Sequence, residues 1–175
     1  FEEAVQFALW LHIGTVPSVL AVFRRDVMLL VKEIMEVRGR PSPSPLLAFL
    51  VVATLVSAPI GLALLFGLQE LSKLIGSLVM AVVGFLTLVS GVTQLGRGNE
   101  EGKSRAELGL MDAVAAGVAQ GLAVLPGLSR SGMTIAVLLA RRIHRREALA
   151  LSFLMSVPAS IGAALWVALN GSFNW

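Results

Sequence analysis

The sequence predicts an all-α integral membrane fold: transmembrane helices with one re-entrant helical hairpin, part of an inverted-repeat architecture. Three observations carry that expectation. Hydrophobic residues make up 56% of the 175-residue chain and charged residues only 14%, against roughly 25% charged in an ordinary soluble domain. Four apolar stretches have about the length of a bilayer crossing. A further apolar region, 111–140, is broken in its middle by Pro126-Gly127 and has a charged, Lys/Arg-rich loop on each side.

The first predicted span is Ala4 to Phe23, with Gln6, His12, Thr15, Pro17 and Ser18 as its exceptions. Pro17 predicts a kink or local break there. Arg24 to Pro45 is polar and partly amphipathic, and Val27, Leu29, Leu30, Val31, Ile34 and Met35 can lie on a membrane surface beside Arg24, Arg25 and Lys32. Pro41-Ser42-Pro43-Ser44-Pro45 reads as a stiff linker. A second span follows over Leu46 to Gly67, interrupted by Pro59, and then a short connection over Gln69 to Lys73. The third span is Leu74 to Gly96, in which Gly76, Gly84 and Gly91 permit close helix packing. The charged loop 97–107 leads to the short apolar pieces Met111 to Leu125 and Met133 to Ala140. After the basic knot of Arg141, Arg142, His144, Arg145 and Arg146 comes the last span, Ala148 to Leu169, which contains Pro158.

Basic loops set the topology. Loops 24–45, 97–107 and 141–147 are rich in Lys and Arg, which places all three in the cytoplasm. The first two are separated by two spans and agree. The last two are separated only by 111–140, so that region must enter and return, with the Pro-Gly break at its tip. Glu3-Ala4-Val5 with Val16-Pro17-Ser18, and Glu147-Ala148-Leu149 with Val157-Pro158-Ala159-Ser160, form a weak internal echo. Because the two copies run in opposite directions, the echo suggests an inverted repeat. The net charge of +3 fits cytoplasmic loops facing anionic headgroups and not a nucleic-acid surface. With no cysteine, disulfide and thiolate chemistry are excluded. The chain begins at Phe1, almost directly in an apolar stretch with no basic leader, and is expected to be a fragment.

The candidate site is the tip itself. Pro126 and Gly127 end one helix, and Ser129 is a suitable N-cap for the next. The new helix opens with free N–H groups, the hydroxyls of Ser129, Ser131 and Thr134, and the Arg130 guanidinium. Helix N-termini favour anions, and the guanidinium fork matches phosphate oxygens. The competing reading is a simple kink with Arg130 reaching toward an interface. A Walker loop is excluded because no Gly-Lys-Ser/Thr follows. A nucleophile elbow is excluded because Ser131 stands where glycine is required. Elsewhere, His12 reads as a helix-packing hydrogen-bonder or a cavity residue, and His144 as a solvated loop residue. Glu3 and Glu147 read as helix-start charges. Arg141, Arg142, Arg145 and Arg146 read as topology determinants that also meet lipid headgroups. Trp10, Trp166 and Trp175 read as interfacial or packing residues. No His/Cys/Asp/Glu cluster has the spacing of metal ligands.

The run from Gln120 to Ile135, with Pro126-Gly127-Leu128-Ser129-Arg130-Ser131-Gly132-Met133-Thr134 at its centre, resembles the second signature of the undecaprenyl-diphosphate phosphatase family of the bacitracin-resistance type. Leu11-His12-Ile13-Gly14-Thr15, Phe23-Arg24-Arg25 and Ser152-Phe153-Leu154-Met155-Ser156-Val157-Pro158 extend the resemblance over most of the chain. The resemblance implies a multi-pass plasma-membrane enzyme with two inverted repeats and paired hairpins. Such an enzyme hydrolyses the terminal phosphate of a C55 polyprenyl diphosphate and so recycles the lipid carrier of the cell envelope. It implies Ser129, Arg130 and Thr134 as catalytic residues, and Gly127, Ser131 and Gln120 as substrate-binding residues. It also implies a divalent cation, Mg²⁺ or Ca²⁺, and a lipid substrate in the membrane, and it allows a homodimer. The single membrane domain 1–175 then divides into 1–110, the remainder of the first repeat with connecting spans, and 111–175, the second repeat with its hairpin. The family's first signature, Glu/Gln-x-x-x-Glu followed by Pro-x-Ser-Ser and a His, is not found in this sequence. The last helices are likewise expected to be missing, and this chain alone is expected to be inactive or nearly so. Physics alone leaves open a transporter or flippase for a phosphorylated polyprenyl lipid, because broken helices and an anion cradle at mid-membrane suit it equally, and more weakly a membrane scaffold, in which Arg130 would be a cost without a function.

Overall fold

The computed structural model describes residues 14, 16–36, 43–74, 81, 84–85, 88, 102–125 and 127–170. Most of the first and third predicted spans, His12, Pro126, Trp10 and Trp175 lie outside them, as does the loop from 97 to 101. The described elements are all helical: α1 (Arg24–Glu36), α2 (Pro45–Leu74), a 3₁₀ turn (Arg105–Glu107), α3 (Leu110–Leu122), α4 (Arg130–Ala140) and α5 (Arg145–Asn170). Among them α2, over Pro45–Gly67, is the one helix long and apolar enough to cross a membrane. The chain divides into two compact units, Ser44–Ser152 and Phe1–Pro43 with Phe153–Trp175.

In the unit made of 1–43 and 153–175, residues 16–22 are helical, Pro17 included. They run on into α1 through Phe23 N–H to Val19 C=O at 2.9 Å and Val27 N–H to Phe23 C=O at 3.0 Å. The polar surface stretch expected after Phe23 is therefore largely a continuation of this helix, as far as Glu36. Apolar side chains at Val27, Leu30, Val31 and Ile34 recur at helical spacing, and that pattern carries the helix past the arginines. The Phe23 and Phe153 rings stack, with centroids 6.2 Å apart.

In the unit Ser44–Ser152, Ser44 caps α2: its hydroxyl accepts the Leu47 N–H at 3.2 Å. Pro45 takes the first helical position, where its missing donor costs nothing. The helix does not stop at Pro59, nor over Gln69 to Lys73, where a connection is expected from the sequence. Gln, Glu, Leu and Lys are good helix formers, and beyond Gly67 the segment holds no breaker. At about 1.5 Å per residue the 30-residue helix is about 45 Å long, more than a hydrocarbon core of about 30 Å.

Helix α3 lies with its backbone against α2. A Cβ added at Gly117 would stand 2.7 Å from Ala53 O and 2.9 Å from Val56 Cβ, and one at Gly121 would stand 2.8 Å from Ile60 Cβ. Ala53, Ala113 and Ala116 fill the rest of the seam and are buried. Gly117-x-x-x-Gly121 is thus a small-residue packing motif, and its spacing makes it legible in the sequence, although the glycines singled out there lie in the third span.

Helices α3 and α4 form an antiparallel hairpin whose open end is tied in four places. Lys103 N–H donates to Arg142 C=O at 2.7 Å, and His144 N–H to Lys103 C=O at 3.1 Å. The strands of chain come so close that a Cβ at Gly102 would meet His144 N at 2.7 Å. The buried Asp112 carboxylate, in the first turn of α3, pairs with Arg141 Nε at 2.8 Å and Lys103 Nζ at 3.3 Å. Arg105 Nε donates to Glu147. Helix α4 ends with Arg142 N–H bonded to Leu139 C=O at 2.9 Å and Ile143 N–H to Leu138 C=O at 3.0 Å. This is a Schellman closure with Arg142 at φ 61° in the position glycine usually takes. The buried Ile143 and Leu138 close over it. In the loop, the Ser104 N–H and then its hydroxyl hold the Glu107 carboxyl below the usual carboxylate range.

Candidate functional site

The turn between α3 and α4 brings the motif to the closed end of the hairpin. After Leu122 the chain makes a short run of turn bonds, among them Leu125 N–H to Leu122 C=O at 3.1 Å and Leu128 N–H to Leu125 C=O at 3.2 Å. Gly127 has φ 95°, a backbone conformation that disfavours any side chain. It reverses the chain and delivers Ser129 in an extended conformation as the N-cap of α4. The Ser129 hydroxyl accepts the Gly132 N–H at 3.1 Å, and the Ser129 carbonyl accepts the Met133 N–H at 2.8 Å. Cap and helix start fall where the sequence places them.

These bonds satisfy the third and fourth N–H groups of α4 and leave the first two. Among the described residues the N–H groups of Arg130 and Ser131 have no partner. The Arg130 side chain is half-buried, and among the described residues no carboxylate pairs with it. Ser131 is also half-buried. A fixed cation, two oriented donors and the positive end of a helix dipole therefore meet at one point. That arrangement is complementary to a phosphate or another oxyanion.

Thr134 is placed differently from the expectation that its hydroxyl lines this cradle. It is fully buried, and its Oγ1 lies 2.9 Å from Arg130 O, 3.1 Å from Ser131 O and 2.5 Å from Ser152 Oγ. At four residues into an α-helix a short hydroxyl folds back onto the preceding carbonyls, and α5 covers the face on which it lies. Gln120 is buried in the α2–α3 seam, where Nε2 donates to Ser57 Oγ at 3.1 Å. Its Oε1 finds no partner among the described residues. The structure thus brings Gly127, Ser129, Arg130 and Ser131 together at the tip and turns Thr134 and Gln120 inward. Sequence reasoning gave no role to Asp112, Lys103, Ser57 or Ser152. Asp112 was detectable as an acid three residues after Gly109 at the head of an apolar run. Nothing local marks Ser57 and Ser152, because their partners lie 63 and 18 residues away.

Among the described residues no group of three His, Cys, Asp or Glu side chains converges. The divalent cation implied by the resemblance thus has no ligand set among these residues.

The family model for bacitracin resistance protein BacA matches residues 1–174. A relative from Methanococcoides burtonii, named undecaprenyl-diphosphatase, is 37% identical over 174 residues, covering 97% of this chain and 65% of the relative. A relative of the same name from Saccharolobus solfataricus is 37% identical over 165 residues, covering 93% and 59%. One from Haloarcula marismortui is 37% identical over 175 residues, covering 95% and 63%. The chain thus spans roughly three fifths of the length of the curated relatives it matches.

Proposed function

Because this chain belongs to the bacitracin resistance protein BacA family, we propose that it carries the phosphate-binding part of a membrane hydrolase that cleaves a polyprenyl diphosphate, of the undecaprenyl type, to the monophosphate and inorganic phosphate. The observation that carries the reading is Arg130, half-buried and without a carboxylate partner among the described residues, beside the two open N–H groups of Arg130 and Ser131. The guanidinium fork takes two oxygens of the terminal phosphate, and the backbone donors take a third. Charge that develops on the phosphoryl group as the bridging P–O bond breaks then meets donors already fixed in place. Ser129 shapes the cradle as the cap, Gly127 supplies the turn, and Thr134 supports the first turn of α4 from behind. The test is release of inorganic phosphate from a C55 polyprenyl diphosphate in detergent by the protein at its natural full length. Movement of the intact lipid across a vesicle membrane with no phosphate released would instead favour a carrier of phosphorylated lipid.

The hairpin belongs to this reading as a re-entrant element of a multi-pass plasma-membrane protein, one half of an inverted repeat. Helices α3 and α4, of 13 and 11 residues, reach only about 20 and 17 Å at 1.5 Å per residue, short of a core of about 30 Å. Their open ends meet at the Lys103–Ile143 bridge, and in this reading the charged loops on either side share one face of the membrane. Broken backbone at membrane depth is tolerated where it lines a polar cavity, and an anion cradle there gives the lipid's diphosphate a place to enter from the headgroup layer. Cysteines placed singly at Ser104 and Arg145 should label with a membrane-impermeant reagent from the same side. Labelling from opposite sides would rule out the re-entrant hairpin.

A further inference from the structure

We propose that Ser152 is a positioning residue for the phosphate cradle, acting through Thr134 on the first turn of α4; this rests on the phosphate-binding reading above. The Thr134 hydroxyl has one proton and stands within hydrogen-bond distance of three oxygens: Arg130 O at 2.9 Å, Ser131 O at 3.1 Å and Ser152 Oγ at 2.5 Å. The two carbonyls only accept. If Thr134 donated to Ser152, its own lone pairs would face both carbonyl oxygens in a buried space, a repulsive arrangement. The proton order is therefore fixed. Ser152 donates to Thr134, and Thr134 donates to the carbonyls of Arg130 and Ser131.

This order joins α5 to the carbonyls of Arg130 and Ser131, the first in the same peptide unit as the open Ser131 N–H and the second in that of the Gly132 N–H. Ser129 holds the turn from the other end through the Gly132 N–H at 3.1 Å. About one turn or less from the pair along each helix, Leu138 of α4 and Ala148 and Leu151 of α5 are apolar and fully buried. An apolar seam tolerates small rotations of one helix on the other. A buried hydroxyl pair does not, because a slip parts the Ser152 hydroxyl from Thr134 and leaves its buried proton without an acceptor among the described residues. Ser152 therefore sets the rotation of α4 about its own axis, and with it the direction in which the Arg130 fork points. An error of about 1 Å in such a group can cost on the order of a hundredfold in rate, so a single supporting bond has a measurable effect.

Four variants at natural full length test this: Ser152→Ala, Thr134→Val, Thr134→Ser, and Ser152→Ala combined with Thr134→Val. The substrate is a C55 polyprenyl diphosphate in detergent. Ser152→Ala and Thr134→Val should each lower kcat on the order of tenfold with KM changed less than about twofold. The double variant should be no worse than either alone, because one chain of bonds is removed in all three. Thr134→Ser, which keeps the hydroxyl, should stay near the unaltered protein. A Ser152→Ala variant at full kcat, or losses that multiply in the double variant, would overturn the proposal. Amide hydrogen exchange over Arg130–Met133 tests the anchor apart from turnover. Faster exchange in Ser152→Ala supports it, and unchanged exchange overturns it. Absence of phosphate release before any substitution is made counts instead against the hydrolase reading.

Discussion

Arg130→Lys is expected to lower phosphate release from a C55 polyprenyl diphosphate by about 10²–10³-fold, although the charge is kept. The lysine ammonium is a point charge on a flexible stem, whereas the arginine fork presents parallel donors in one plane. At the start of α4 the difference is sharpened by what surrounds the side chain. Among the described residues no carboxylate anchors Arg130, so its direction comes from its own planar geometry and from the helix that bears it. A lysine there would be solvated by whatever water reaches the tip and would leave one phosphate oxygen without a donor. The backbone N–H groups of residues 130 and 131 remain in the variant, so substrate binding should weaken less than turnover. The measurement is steady-state phosphate release by the protein at natural full length. Near-normal kcat for Arg130→Lys would remove the central residue from the proposed site.

How far the sequence could be read depended on how local each feature is. Ser129 as a cap, the turn at Gly127 and the start of α4 follow from residue types within a few positions, and the structure has them where expected. The helical hairpin of α3 and α4 was legible for a different reason: two short apolar runs flank the turn at Gly127, and the Lys103–Ile143 bridge joins the charged loops at their far ends. By contrast, the inward turn of Thr134 depends on Ser152, and the seam position of Gln120 on Ser57, neither of which is a sequence neighbour. A hydroxyl in a motif looks the same on paper whether it faces a ligand or a neighbouring helix. The basic residues show the same limit. Arg141 reads as a topology signal, yet it also neutralises the buried Asp112, which no feature of residues 141–146 announces. No connection forms at 69–73, because polar composition there does not mark a loop in a stretch with good helix formers and no breaker.

Gly117→Leu should separate α2 from α3 and destabilise the protein by about 3 kcal/mol or more, in the upper range of overpacking effects. The argument rests on what the new Cβ would meet. Its nearest neighbour is a backbone atom, Ala53 O at 2.7 Å, followed by Val56 Cβ at 2.9 Å and Ala53 Cα at 3.1 Å. Backbone cannot rotate aside as a flexible side chain can, so the helices themselves must move apart. Movement at Gly117 is transmitted one turn along the seam to Gly121, where Ile60 Cβ stands at 2.8 Å from an added Cβ, and to the Gln120–Ser57 bond at 3.1 Å. That bond is buried, and opening the seam would leave Nε2 as well as the already unpartnered Oε1 unsatisfied. Glycine in a helix carries a conformational-entropy cost of roughly 1 kcal/mol relative to alanine, so adding a side chain has a stabilising component of its own. Gly67→Ala isolates that component. Nothing lies within 4 Å of a Cβ at Gly67, and its substitution in the same α2 helix should be neutral or raise the melting temperature. Thermal unfolding of both variants in one detergent separates the two contributions. Gly117→Leu should melt well below the unaltered protein while Gly67→Ala does not. If Gly117→Leu melts with the unaltered protein, the close approach of α3 to α2 is wrong, and the support that this seam gives to the hairpin is wrong with it.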